Sequence, residues 1–161
     1  MAEQDNVILA RTTYETLCSF LDSKKWQYTK DEERLLINCS ACGEDLAMPI
    51  TVKIYSDRLI AVLISHMTFE IPEDKRLDAA IAICAINNLV INGSFDYNIK
   101  DGSIYFRMSN SFMESELSTE VFEYMLMCSC STIDEYNDKL LMLAKGMISL
   151  QQMLASFDSQ N

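Results

Sequence analysis

Several residue types and patterns are scarce in this chain, and each scarcity argues against a class of protein. The 161 residues include only 4 glycines and 2 prolines, which leaves little room for linkers or for a glycine-rich loop that binds phosphate. No run of about 18 apolar residues occurs, so the sequence predicts no transmembrane helix. The single histidine, His66, has no nucleophilic or metal-binding motif around it. The sequence therefore predicts no catalytic residue.

The charge is strongly one-sided and limits the partners that we expect. Aspartate and glutamate number 24 against 13 lysines and arginines, a net charge of -11 at pH 7. A nucleic-acid-binding protein needs a stripe of basic residues, and an anionic membrane surface would repel this chain. The N-terminal residues 1–5 are acidic and lack the basic start of a signal peptide. We expect a cytoplasmic protein that binds neither nucleic acid nor membrane and keeps its six cysteines reduced.

The apolar residues that are present change their period in an informative order. They make up 49% of the chain, enough for one domain over residues 1–161 with an ordered core at about 7–155. Helical and strand periodicities alternate in the order α-β-β-β-β-α-β-β-α. The sequence therefore predicts an α+β fold, a curved antiparallel sheet with flanking helices.

A β-hairpin is the clearest local pattern. Apolar residues recur at period two in residues 95–99 and again in residues 104–108. Asp101 and Gly102 lie between these segments, and Asp-Gly is a strong signal for a type I′ turn. The sequence predicts a hairpin closed by a two-residue turn.

Two other segments are apolar on more than one side. Residues 59–64 are apolar on both strand faces, which predicts a central strand that is covered on both sides or lies in an interface. Residues 77–91 are apolar around almost the whole helix, which predicts burial on every side, either as the spine of the core or as part of a subunit interface. Asn92 and Gly93 are expected to cap that helix.

The remaining boundaries follow from turn and capping residues. Residues 43–45 are expected to form a turn between the second and third strands. Ser118 is expected to cap the last helix, and a second capping pattern at Thr132 and Glu135 predicts a break near residues 129–131. Residues after Ala155 are expected to fray.

This order of elements resembles the YbjN family of bacterial sensory-transduction regulators, which shares the fold of the type III secretion chaperones. The likeness covers roughly residues 7 to 150. It is carried by Trp26 at the first strand, Ile71 and Pro72 before the second helix, Asn87 and Asn88 near its end, and residues 95–99, 101–102 and 104–107 of the hairpin.

The resemblance implies a function in protein binding. Type III secretion chaperones are small, acidic, cytoplasmic homodimers that bind extended segments of secreted partners, and this chain is similar in size and in its pI of about 4.4. The family offers no catalytic residue to transfer. The resemblance therefore predicts a non-catalytic interaction module, chaperone-like or regulatory, that forms a homodimer and binds a protein or peptide partner without a cofactor.

The cysteines support an alternative from another class. Cys39 and Cys42 have the spacing of half a zinc site, and Cys128 and Cys130 could add two thiolates. Residues at i and i+2 on a helix point about 200° apart, so the second pair chelates a metal only where the helix breaks. Buried cysteines also act as small apolar side chains. The sequence favours packing over zinc or thiol chemistry, and we expect no metal.

Methionine is frequent, with ten residues, and several lie in the last helical region. Thioether side chains adapt to varied partners, although they also fill cores; Met125 and Met147 fit the core stripe of that helix. Combining the fourth strand with the methionines beside this stripe gives the predicted partner-binding residues: Leu59, Ala61, Leu63, Met127 and Met142.

Overall fold

Residues 2–43 and 46–158 are described by a computed structural model. Within this part of the chain there are four α-helices, one short 3-10 helix and six strands. In chain order they are α1 (Ala2–Ser23), β1 (Tyr28–Asp31), β2 (Leu36–Cys42), β3 (Ala47–Tyr55), β4 (Ile60–Glu70), a 3-10 turn (Glu73–Lys75), α2 (Arg76–Leu89), β5 (Ser94–Tyr97), β6 (Ser103–Ser111), α3 (Thr119–Ala144) and α4 (Leu150–Asp158).

The strands form one antiparallel sheet with the order β1-β2-β3-β4-β6-β5. The predicted α+β fold is confirmed, and so is the central place of the fourth strand, because β4 lies between β3 and β6. The predicted turn at residues 43–45 lies partly outside the described residues. Pro49 lies near the start of β3, before the pairing with β4 begins at Ile50, as expected for a residue that cannot donate a ladder hydrogen bond.

The helices cover one face of this sheet. The register aligns Ile37, Val52, Leu63 and Met108 across four strands, and all four side chains are at most 2% exposed. Buried residues of α1 and α3, including Leu17 and Leu140, belong to the same core. Period-two alternation therefore directs one set of strand side chains into the core and the other set away from it.

Within one chain, helix α2 is buried on one side only, so the prediction that it forms the spine of the core is wrong, whereas burial of its other sides in a subunit interface stays a prediction. Its buried residues are Ala79, Ala82, Ile83 and Ile86. Leu77 and Ile81, on another side, are 68% and 44% exposed. The helix also ends at Leu89, before the predicted Asn92-Gly93 cap, and Val90 is already extended. The sheet and the other helices contact only one side of α2, so the residues on its other side are exposed although they are apolar.

The hairpin is present, but its predicted two-residue turn is wrong. Asn98 and Ser103 close the strands, with the Asn98 N–H donating to the Ser103 carbonyl at 3.0 Å, and four residues separate them. Asp101 does not have the positive φ that a type I′ turn needs, whereas Gly102 has φ +82°. Asp101 instead accepts hydrogen bonds from the backbone N–H and the hydroxyl of Ser103.

The C-terminal region contains two helices instead of one interrupted helix. Helix α3 runs unbroken through residues 129–131, so the predicted break there is wrong. The chain turns at Gly146, which has φ +68°, and α4 continues to residue 158, beyond the predicted frayed start. Met125 is buried as expected, whereas Met147 is 65% exposed because it lies in this turn.

A side chain pairs with the backbone of the edge strand β5 at Phe95. The Asn87 side-chain carbonyl accepts from the Phe95 N–H at 2.8 Å, and the Asn87 amide donates to the Phe95 carbonyl at 2.9 Å. One side chain of α2 thus forms the pair of hydrogen bonds that a further strand would form. The Phe95 ring is buried against Phe106, with ring centroids 5.0 Å apart.

Candidate functional site

The side of the sheet opposite the helices carries an apolar stripe. Ile60, Val62 and Ile64 of β4 alternate with the buried Ala61 and Leu63, so they lie on this second side, which we call the open face. They are only partly exposed because neighbouring strands flank them. No helix covers the open face in the described part of the chain, so this stripe is available to a partner.

Basic and aromatic side chains border the stripe. Lys53 of β3 is paired in register with Val62, and Arg107 of β6 with Ile64. The Lys53 ammonium lies 4.5 Å from the centre of the Tyr55 ring. Arg107 binds Asp96 in a forked geometry, with Nε donating to Oδ2 at 2.6 Å and Nη2 to Oδ1 at 3.2 Å. The cations thus stand directly beside the apolar residues.

Two adjoining depressions extend across the open face. The first, of about 460 Å³, is lined by Tyr55, Arg58 and the apolar stripe. The second, of about 440 Å³, lies beside Asp96 and Tyr105. Both are lined by Ile64 and Arg107. Together they form a shallow trough that runs over β3, β4, β6 and β5.

A second uncovered apolar surface lies on α2. Leu77, Ile81 and Cys84 follow one another at helical spacing on the exposed side of the helix, and we call them the α2 stripe. Beyond the helix end, Ile91 is completely exposed. A groove of about 350 Å³ opens beside it, lined by residues of the α2 end and of α3 such as Tyr124.

The predicted partner-binding residues are not brought together. Ala61 and Leu63 are fully buried under the helices, and Leu59 packs against the same core. Met127 and Met142, on α3, are 62% and 36% exposed. Burial leaves Ala61 and Leu63 no contact with a partner, so the prediction selects the side of β4 that faces the core and not the side that faces outward. A partner contact of Leu59, Met127 or Met142 stays a prediction.

The residues of the open face were missed because both sides of β4 are apolar. Composition alone does not tell Val62 from Leu63. The alternation in β3 carries a usable signal, because Met48, Ile50, Val52 and Ile54 are apolar and the residues between them include Thr51 and Lys53. Only the register between β3 and β4 transfers that polarity to Val62 and Ile64, and the sequence does not supply the register.

The thiols of the predicted zinc pair differ in their surroundings. Burial raises the pKa of Cys39 from 9.0 to about 11, with a smaller contribution from nearby Cys130. Burial, and then Asp134, raise the pKa of Cys130. Zinc binds thiolates, and a raised pKa opposes their formation. Cys42 is exposed, and the unbroken α3 keeps Cys128 and Cys130 on different sides.

The described residues offer neither a metal-binding cluster nor a membrane-spanning helix. Residues 2–43 and 46–158 contain no group of three or more histidine, cysteine, aspartate or glutamate side chains placed to hold a metal ion. The helices of the same ranges are all too short or too polar to span a bilayer.

Sequence comparison identifies one matching family. The model of the YbjN family, described as "Putative bacterial sensory transduction regulator", matches residues 13–142. A search of curated proteins finds no match.

Solved structures of similar fold include two with TM-scores above 0.5, and a third matches with a lower score. YbjN from E. coli, described as "a putative transcription regulator", is 14% identical, with a TM-score of 0.56 over 78% of this chain and 92% of that one. The ExsC–ExsE complex gives 13% identity and a TM-score of 0.62 over 82% and 96%. The HopA1–SchA chaperone–effector complex is 18% identical, with a TM-score of 0.48 over 84% of this chain and 93% of that one.

Proposed function

Because the chain belongs to the YbjN family, we propose that it is a non-catalytic protein-interaction module, chaperone-like or regulatory, that acts as a single domain. The observation that carries this proposal is the presence of two apolar surfaces, the open face and the α2 stripe, which the described chain leaves uncovered. Contiguous exposed apolar patches are typical of interaction sites.

The comparisons support a protein as the partner. The structure with a TM-score of 0.62 is a complex of ExsC with ExsE, so in that case a chain of this fold is associated with another protein. At 13% identity this likeness concerns the fold alone. In our proposal the partner of this chain is therefore a protein or peptide. The surface of this chain determines the chemistry of that partner.

We assign the α2 stripe to self-association. A helix side that faces water normally carries charged residues, but Leu77, Ile81 and Cys84 carry none. A two-fold axis beside α2 would cover the same patch on both copies. Ile91 and the groove next to it lie at the end of this helix, so they would extend the interface. In our proposal the protein is a homodimer.

Sedimentation equilibrium of the full chain at tens of micromolar tests the homodimer. We expect a mass near 37 kDa, twice 18.4 kDa. Ile81→Asp should give a folded monomer, because it places a charge in the interface. The matched control is Met113→Asp, which changes a side chain that is 72% exposed elsewhere and should leave the dimer intact.

A second substitution in α2 tests the assignment of self-association to the α2 stripe. Ile83 is 4% exposed, so Ile83→Asp should unfold the protein, as seen by circular dichroism. A wild-type mass near 18 kDa, or an Ile81→Asp variant that remains a dimer, would contradict self-association through α2.

The rival function is thiol or zinc chemistry at Cys39 and Cys42. It is tested by inductively coupled plasma analysis of the purified protein. About one equivalent of zinc that is lost in a Cys39→Ser/Cys42→Ser variant would replace the interaction module with a metal-dependent function. We expect no stoichiometric zinc.

A further inference from the structure

We propose that the open face binds an acidic, amphipathic segment of a protein partner, with the apolar side of the segment on Ile60, Val62 and Ile64 and its carboxylates on Lys53 and Arg107. This inference rests on the proposed protein-binding function and names the chemistry of the partner at one surface. It runs against the overall charge of the chain, which by itself favours basic partners.

The shape of the open face suits a chain segment. The trough crosses β3, β4, β6 and β5, and neighbouring strands are about 4.8 Å apart. Its width over these four strands is therefore roughly 14 Å. A shallow surface that extends this far across the strands is typical of contacts with a helix or an extended peptide, whereas small molecules prefer enclosed pockets.

Two cations select the sign of the partner: Arg107 lines both depressions of the trough, and Lys53 borders the apolar stripe beside Val62. Lys53 pairs with no carboxylate among residues 2–43 and 46–158, and its ammonium lies over the Tyr55 ring. Arg107 uses one edge of its guanidinium for Asp96 and is half exposed, and a guanidinium has five N–H groups. Both cations therefore retain donors for an incoming carboxylate.

The acids near the trough do not cancel these cations. Asp96 is already engaged by Arg107. Asp57, at one end, forms a long contact of 3.7 Å with Arg58, and both side chains are more than 70% exposed. In a chain with 24 acids and 13 bases, the middle of the open face is thus a local basic region around an apolar stripe.

Two matched synthetic peptides test the proposal by fluorescence anisotropy with the full chain. Both are labelled 18-residue helices with leucine at positions i, i+3, i+4 and i+7; one carries glutamate and the other lysine at the remaining sites. We expect the glutamate peptide to bind at least about tenfold more tightly at low salt, whereas the net charge of -11 predicts the reverse order. Tighter binding of the lysine peptide overturns the proposal.

Variants assign the binding to the open face. Lys53→Glu should weaken binding of the glutamate peptide by about tenfold, and Val62→Glu should weaken it further. Lys25→Glu makes the same charge change in the exposed turn after α1 and should leave the affinity unchanged. Equal effects of Lys53→Glu and Lys25→Glu would overturn the assignment, because they would show a response to net charge alone.

A third peptide separates the apolar contribution from the charges. In it the leucines are replaced by serine and the glutamates are kept. We expect this peptide to bind at least about tenfold more weakly than the leucine version. Equal binding would reduce the open face to an anion-binding surface and would overturn the amphipathic segment.

Failure of this proposal is distinguishable from failure of the proposed function. In one outcome, the immobilised wild-type chain and the Val62→Glu variant capture the same cellular protein equally well, as identified by mass spectrometry. The interaction module then stands and the docking surface lies elsewhere. Binding of neither peptide, together with capture of no protein, would overturn both proposals.

Discussion

The two faces of the sheet are formed by the same strands, yet helices pack on one face and not on the other. Towards the helices, Leu63 and its neighbours across the sheet are almost completely buried. On the open face, Val62 is flanked by Lys53 and Ser109 and is only partly buried. One residue of chain separates these two environments. The difference shows that an apolar residue in a central strand stabilises the fold on one side and remains available to a partner on the other.

Replacing Leu63 and Val62 in turn should give the largest contrast between the two sides. Leu63→Ala removes a fully buried side chain and should lower the free energy of unfolding by about 2–5 kcal/mol, since it leaves a cavity in the core. Val62→Ala, on the open face, should cost about 1 kcal/mol or less. Urea denaturation followed by circular dichroism measures both values. Equal losses would mean that the open face is as closely packed as the core.

A second contrast concerns two glycines with positive φ, one where the hairpin packs on the rest of the fold and one in an open turn. At Gly102, φ is +82° and a Cβ would clash with the carbonyl oxygen of Ile71. The backbone N–H of Ile71 donates to the Gly102 carbonyl at 2.9 Å, which holds the two segments together. At Gly146, φ is +68°, but the nearest atom to a Cβ would be Lys75 Cε at 3.8 Å.

Both glycines should resist valine, but to different extents. Gly102→Val should lower the free energy of unfolding by about 2–4 kcal/mol, because it adds a steric clash to the strained backbone. Gly146→Val should cost about 1–2 kcal/mol from backbone strain alone. If thermal melts show the same loss for both, the close approach of the hairpin to Ile71 contributes nothing to stability.

The smallest effect is expected from the thiol on the covered side. Burial raises the pKa of Cys39 from 9.0 to about 11. Between these two pH values the unfolded chain loses the thiol proton while the folded chain keeps it, so stability falls as the pH rises. The melting temperature of wild type should therefore fall more steeply over this range than that of Cys39→Ala. Cys42→Ala, at an exposed site, should follow wild type; a Cys39→Ala curve parallel to wild type would contradict the assignment.

The predictable part of the fold is the part that depends on local periodicity. The alternation in β3 and the helical stripe of α3 are strong enough to place these elements and their order. The family resemblance adds the arrangement of the sheet, which the structure confirms. Gly102 was also identified correctly as a special position, although the turn around it is longer than two residues.

The errors arise where composition does not determine the environment. Val62 and Leu63 are both apolar, and only pairing with Lys53 on one neighbouring strand and with Met108 on the other distinguishes their sides. Ile81 and Ile83 are chemically identical, yet α2 contacts the core with one and not with the other. Long-range packing makes these distinctions, so a single sequence could not supply the sites on the open face or on α2.

The two hydrogen bonds between Asn87 and Phe95 occupy backbone groups at the β5 edge of the sheet. An edge strand with free backbone groups can recruit another strand, and repetition of that step gives open-ended ribbons. Here the Phe95 N–H and carbonyl are already paired with a side-chain amide, on the same helix that carries the α2 stripe. Two copies can therefore meet through α2 without merging their sheets at β5. The single amide thus blocks the addition of a further strand at Phe95.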